Sequence, residues 1–261
     1  MTFEATFILV GLMQIAGYFI QGCTGFGCAV IAAPVTNGLL GTAEGVPYST
    51  LLTLPFMYGL GIKAIRETSW KDLLKILILC APGLLLGNYL FYRISANTAK
   101  IGIGAMVTAI ALMNIYKHII RPLVLKKTVE ENAPDTTGKK AFRYGCLLLG
   151  GVVHGAFNIG GPLITVYTLE AVKEKEKFRN TMTWLWAILN TVNAFSQYRN
   201  GAWTPHLWSA LAVGVPMAAV GFILGIAFLK KINREQFLRI VYAVLLVIGG
   251  DMLIRSVMAV L

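Results

Sequence analysis

The sequence predicts an all-α polytopic membrane protein made of two inverted repeats, each a broken-helix hairpin followed by three transmembrane helices. Three observations carry this expectation. The chain is 56% hydrophobic and only 13% charged, where a soluble domain carries roughly a quarter charged residues. Its apolar residues gather into runs near the roughly 20 residues that cross a hydrocarbon core, with the charges collected between them. Finally, Gln21-Gly22-Cys23-Thr24-Gly25-Phe26-Gly27-Cys28 returns 133 residues later, altered, as His154-Gly155-Ala156-Phe157-Asn158-Ile159-Gly160-Gly161. The same offset pairs Gly17 with Gly150, Thr50 with Thr183 and Trp70 with Trp203. One residue of slippage also pairs Pro82 with Pro216 and Gly87 with Gly221.

Residues 3–22 give the first helix. Met1-Thr2-Phe3-Glu4 brings no basic run and no cleavage-like pattern, so this helix is expected in the mature protein and not in a signal peptide. Gly25-Phe26-Gly27 then breaks the chain, and residues 28–41 are too short to span, as expected of a half-helix in a hairpin. Full spans follow at 46–62, 73–92 and 101–116. The polar stretch from about 117 to 140 is too short to bury a core of its own. Within it, Thr128–Gly138 is punctuated by proline and glycine like a flexible connection. The second half repeats the plan: a span at 141–157, a break at Asn158-Ile159-Gly160, a half-helix at 161–172, and spans at 180–198, 207–229 and 237–254. The expected division is a first transmembrane repeat over 1–117, a cytoplasmic linker over 118–140 and a second repeat over 141–261.

A net charge of +11 and a pI near 9.6 would suggest nucleic acid in a soluble protein. The placement of the charge argues against that partner. If each hairpin returns to its side of entry and three spans follow, the loops divide their basic residues 19 to 4 between the two faces. The positive-inside rule puts the richer face, with Lys126 and Lys140, in the cytoplasm. Each half then makes an odd number of crossings, which inverts the second repeat and leaves both termini extracytoplasmic. Anionic lipid, not nucleic acid, is the expected partner of the basic face.

The breaks are where chemistry is expected. A helix start exposes unpaired N–H groups and the positive end of the helix dipole, and glycine lets a ligand approach that backbone. In the second copy Pro162 is expected at the first helical position. Two such starts form an anion site that needs no buried Lys or Arg, in keeping with spans that carry none well inside them. The alternative is that the glycines only permit close helix packing. The paired recurrence favours the site, with Gln21, Thr24, Gly25, Phe26, Gly27 and Cys28 from the first copy and His154, Asn158, Gly160 and Gly161 from the second.

These residues resemble a known family. Gln-Gly-x-Thr-Gly-Phe-Gly in the first half and Gly-x-x-x-x-Gly-Gly-Pro in the second are similar to the paired signatures of the TauE/SafE sulfite and organosulfonate exporters, also called the toluene-sulfonate uptake permease family. Phe178-Arg179-Asn180-Thr181 leading to Leu189-Asn190 is similar to the family's segment after the second motif. The chain departs by carrying Cys28 where many members have glycine or another small residue. The resemblance covers essentially the whole chain and implies transport of a small sulfur-containing or carboxylated anion, in a direction that varies among members.

Among other polar residues, His154 is either a titratable site group or a neutral partner for a carbonyl at the break. Asn190 and Asn193 lie a turn apart beside Thr183 and Trp186, and Asn190 is expected to line the site. Asp251 is expected to contact Arg255, four residues on. Cys23, Cys28, Cys80 and Cys146 show no metal-ligand spacing and read as small hydrophobes; a thiol role at the first turn stays open for Cys23 and Cys28. Trp70, Trp203, Trp208 and Tyr92 read as interfacial anchors.

The function these features imply is a secondary transporter of a small anion in the cytoplasmic membrane, working by alternating access. No nucleotide-binding motif is present to drive it, and no cofactor or metal is expected. An anion channel is the alternative. An intramembrane enzyme is weaker still, because His154 alone supplies neither a nucleophile–base pair nor a metal cluster. Direction, coupling ion and oligomeric state, a homodimer included, are left open.

Overall fold

The computed structural model describes residues 5–90, 105, 108–109, 111–112, 115–116, 136–157 and 160–258. Among the described residues there are nine α-helices and no strand: α1 (Ala5–Thr24), α2 (Cys28–Leu40), α3 (Thr42–Lys63), α4 (Trp70–Leu90), α5 (Thr137–Phe157), α6 (Gly161–Ala171), α7 (Lys175–Arg199), α8 (Pro205–Lys231) and α9 (Arg234–Met258). Helical residues also occur between 105 and 116, in the region of the expected fourth span. Most of the linker expected over 118–140 lies outside the described residues.

Several full-length helices run longer than the apolar stretches that announced them. Expected spans at 46–62, 141–157 and 180–198 begin at Thr42, Thr137 and Lys175. The added turns are polar, because a helix continues into the interface where its side chains reach water. At α7 the start falls inside a charged segment, with Glu174 extended at the N-cap and Glu176 in the first turn, a position where the helix dipole favours an acid. Likewise α6 begins at Gly161, one residue before Pro162.

The outer surfaces are apolar and the interiors hold polar groups. Leu85, Ile223 and Val247 are 68%, 65% and 65% exposed, whereas Gln14, Thr36, Asn180 and Thr183 are buried. A protein surrounded by water does not spread large aliphatic side chains over long helices in this way. Of the described helices, α1 and α8 are long and apolar enough to cross a membrane by length and composition alone.

The chain forms two compact units, each drawing on both sequence halves. The first comprises Met1–Leu77 and Ala171–Lys231. In it α1 packs along α8 through glycines: a Cβ at Gly22 would meet the Phe222 carbonyl, and one at Gly225 would stand 2.9 Å from the Cys23 nitrogen. Small residues of this kind let membrane helices approach closely. Helix α3 lies antiparallel to α7, since Gly61 O accepts from Trp184 Nε1 (3.1 Å), Tyr58 and Thr191 share a hydroxyl hydrogen bond (2.8 Å), and Gln197 Nε2 donates to Thr50 Oγ1 (3.1 Å). Positions fall along one helix as they rise along the other.

The second unit comprises Ile78–Glu170 and Ile232–Leu261. Here α4 meets α5: Cys80 Sγ lies 3.2 Å from Leu147 O, and a Cβ at Gly83 would stand 2.8 Å from the Val152 nitrogen. Helix α6 folds back on α5, where a Cβ at Gly150 would come within 2.7 Å of Ile164. Gly17, the counterpart of Gly150, is close to Cys28 and Ala32 of α2 in the same manner.

Candidate functional site

The first break is a built turn. Gly25 and Gly27 have φ of +83° and +101°, in the left-handed region that side chains avoid. The Gly25 N–H donates to Gln21 O (2.8 Å), which closes the last turn of α1. Thr24 Oγ1 lies 2.9 Å from Ile20 O and 2.8 Å from Phe26 O, and the Phe26 N–H donates back to it over 3.3 Å. Gln21 bridges the gap, donating from Nε2 to Gly25 O (3.0 Å) and accepting at Oε1 from the Cys28 N–H (3.3 Å). Gln21, Thr24, Phe26 and Cys28 are all buried.

This geometry bears on what the break can do. Two of the amides around the helix start already donate to Gln21 and Thr24. The backbone turn therefore offers less free positive potential than its glycines suggest.

The partner of the turn is α7. Trp186 Nε1–H donates to Gly25 O at 2.7 Å. A Cβ at Gly25 would stand 3.0 Å from Arg179 O and 3.1 Å from both Arg179 Cα and Met182 Cβ. Arg179, Met182, Trp186 and Asn190 are spaced by three and four residues and make one buried stripe along the helix. Asn190 is thus brought to the α7 face that carries Trp186, and its Oδ1 is buried with no hydrogen-bond partner among the described residues.

The reading that no Lys or Arg lies buried in the helices is corrected by Arg179. By position it falls among the 19 basic residues of the richer face, just before the span expected at 180–198. It lies within α7 and is 5% exposed. Its Nε and Nη2 donate to Asn180 Oδ1 at 3.1 and 2.8 Å, and Nη1 has no partner. Asn180 Nδ2 in turn donates to Glu67 O (3.3 Å), and the Ser69 N–H donates to Thr181 Oγ1 (3.1 Å), so this triplet fastens the start of α7 to the turn after α3. Removing Arg179 from the loop count leaves the charge asymmetry in place.

In the second unit His154 is buried near the end of α5, and Gly160 and Gly161 start α6. Gly160 O accepts from the Ile164 N–H (3.2 Å), the first helical bond of α6. A Cβ at Gly160 would stand 2.6 Å from His154 Cβ, so this start is closed tightly onto α5. Asn158 lies outside the described residues, as does the Arg255 side chain expected to meet Asp251.

Sequence reasoning missed the burial of Arg179 next to the turn and the indole of Trp186 as a support for it. A signal was present. Both lie on the stripe that contains Asn190, the α7 residue it did select.

Buried polar residues at a broken helix, enclosed by helices with apolar outer faces, define a polytopic helical membrane protein. The profile of the sulfite exporter TauE/SafE family matches residues 7–252, and the chain belongs to that family. It is also similar to a protein named probable sulfite/organosulfonate exporter TauE from Cupriavidus necator, with 22% identity over 260 residues covering 96% of each chain. No solved structure matches it. The chain is a membrane transporter and not an enzyme.

Proposed function

We propose that the protein carries a small sulfur oxyanion, such as sulfite or an organosulfonate, across the cytoplasmic membrane by alternating access of two inverted repeats. The substrate class comes from the family and from the name of the Cupriavidus relative. The observation that carries the rest is the first break, a polar turn held at the end of a half-length helix. Broken helices of this kind form substrate sites in secondary transporters. A second feature supports the inverted arrangement. Helices α3 and α7 occupy equivalent places in the two halves, pack antiparallel, and share a hydrogen bond between Tyr58 and Thr191, residues 133 positions apart. Equivalent helices meeting antiparallel at equivalent residues are what a two-fold axis in the membrane plane requires. Repeats related by an axis along the membrane normal would bring them together parallel.

Alternating access predicts saturable uptake of labelled sulfite into proteoliposomes, accelerated by unlabelled sulfite on the opposite side. Flux that rises without saturation and shows no such counterflow would establish the channel instead. The orientation has its own check in the same cells. A cysteine placed at Lys126 is expected to resist an impermeant thiol reagent added outside, and labelling in intact cells would reverse the topology.

A further inference from the structure

We propose that Arg179 is the cationic group of the anion site at the first break, with Nη1 coordinating an oxygen of the carried oxyanion. This assignment rests on the reading of the chain as an anion transporter and names the group that gives the site its charge.

The argument begins with desolvation. A guanidinium that is 5% exposed has lost most of its water, and a buried charge persists when it is paired with an opposite charge and hydrogen-bonded. Arg179 has the hydrogen bonds but not the counter-charge. Its Nε and Nη2 converge on one neutral amide oxygen, Asn180 Oδ1. Glu67 and Glu176 act on it only through longer-range attraction; both are exposed, and neither forms an ion pair with it among the described residues. Nη1 is left with its donors unused.

A purely structural arginine would not need this arrangement. Fastening α7 to the turn after α3 is done by Asn180 and Thr181, through Glu67 O and the Ser69 N–H. Arg179 adds no bond to that turn. Its contribution is a positive charge, and its fixed Nε and Nη2 restrict the direction in which Nη1 is presented.

The place is also suitable. Arg179 backbone atoms lie against Gly25, where a Cβ would stand 3.0 Å from the Arg179 carbonyl. The residue that carries the cation is thus packed against the turn that the glycines open. The Cys28 and Phe26 amides donate to Gln21 and Thr24, so the break needs a further donor to hold an anion. Planar guanidinium suits oxyanions because its N–H groups match their oxygen spacing.

Two substitutions in the full-length protein separate this role from a role in folding. Arg179→Gln removes the charge. Asn180→Asp keeps the side-chain shape and puts a carboxylate where Arg179 already donates twice, satisfying the cation internally. Thermal-shift titrations of purified protein with sodium sulfite, sodium sulfate, ethanesulfonate and acetate read binding as saturable stabilisation. At least one of these anions is expected to stabilise the wild type. Its half-saturation concentration should rise about tenfold or more in both variants, the effect of losing a charge-assisted contact. Asn180→Asp also loses the Nδ2 donation to Glu67 O, so its melting temperature without anion should fall modestly while the protein still folds. Wild-type affinity in Asn180→Asp overturns the assignment, even if Arg179→Gln fails to fold. Counterflow in proteoliposomes keeps the two readings apart. A wild type with neither anion stabilisation nor counterflow sinks the transport reading and the assignment together; wild-type counterflow in Asn180→Asp sinks the assignment alone.

Discussion

The starts of α3 and α7 occupy equivalent places in the two sequence halves, yet they are built on opposite charges. At the repeat offset, Val46 stands where α7 has Arg179, and Glu44 stands where α7 has Lys177. The α3 start is a clasp completed by the protein itself. Glu44 Oε1 accepts from Thr204 Oγ1, Glu44 Oε2 lies 2.6 Å from His206 Nδ1, and the Leu207 N–H donates to Thr204 Oγ1 over 3.1 Å. The Phe7 ring packs edge-on against His206 at 5.1 Å. The α7 start is different: its buried cation receives a neutral amide and keeps Nη1 free. A duplicated helix start has thus become a fastening in one half and an open donor in the other.

The largest effect is expected from pushing α7 away from the turn. Gly25→Leu would place a side chain at φ +83° and drive it into the Arg179 backbone. The conformational strain alone costs about 1–3 kcal/mol, and relief of the collision would displace the cation. Sulfite flux should be abolished in protein that still inserts. Gly59 is exposed and its Cβ position meets nothing within 4 Å, so Gly59→Leu should transport normally. Normal flux in Gly25→Leu would separate the turn from transport altogether.

A smaller effect is expected at Trp186, whose counterpart in α3 is Thr53. Trp186→Phe keeps most of the ring and loses the 2.7 Å bond to Gly25 O. A net hydrogen bond contributes about 1 kcal/mol, and Gly25 O keeps Gln21 Nε2 as a donor. Flux should fall several-fold without being lost, while anion binding measured by thermal shift changes less. Equal loss of binding and flux would mean that the indole itself contacts the anion.

How much of this was legible in the sequence follows from what each signal measures. Apolar runs reported the helices, because burial in lipid acts on every residue of a span. They misplaced the starts of α3, α5 and α7, because a helix does not end where hydropathy does. The glycines at 25 and 27 reported a turn, since positive φ has a residue preference that can be read locally. Arg179 was read as a loop charge because it follows Lys173, Lys175 and Lys177 closely, and hydropathy averages over such neighbours. Its backbone lies against Gly25, in the turn between α1 and α2, and the Trp186 bond to the same residue spans 161 positions. The sequence picks out Gln21 for the site, and the structure places its amide across the turn to Cys28, past a break where the helix period is interrupted.

The smallest effect should come from the α3 clasp, and that is its value. Glu44→Gln keeps the side-chain length and an oxygen to accept from Thr204, but removes the charge facing His206. Glu44 and His206 side chains are 19% and 37% exposed, so water replaces part of what is lost and the stability change should be about 1 kcal/mol. A modest drop in melting temperature with sulfite affinity and flux unchanged is the expected result. It would establish that equivalent helix starts have divided the work, with α3 holding α8 and α7 presenting the cation. If Glu44→Gln instead weakened sulfite binding as strongly as Arg179→Gln, the acidic clasp would belong to the transport cycle, and the contrast between the two starts would be one of sign and not of role.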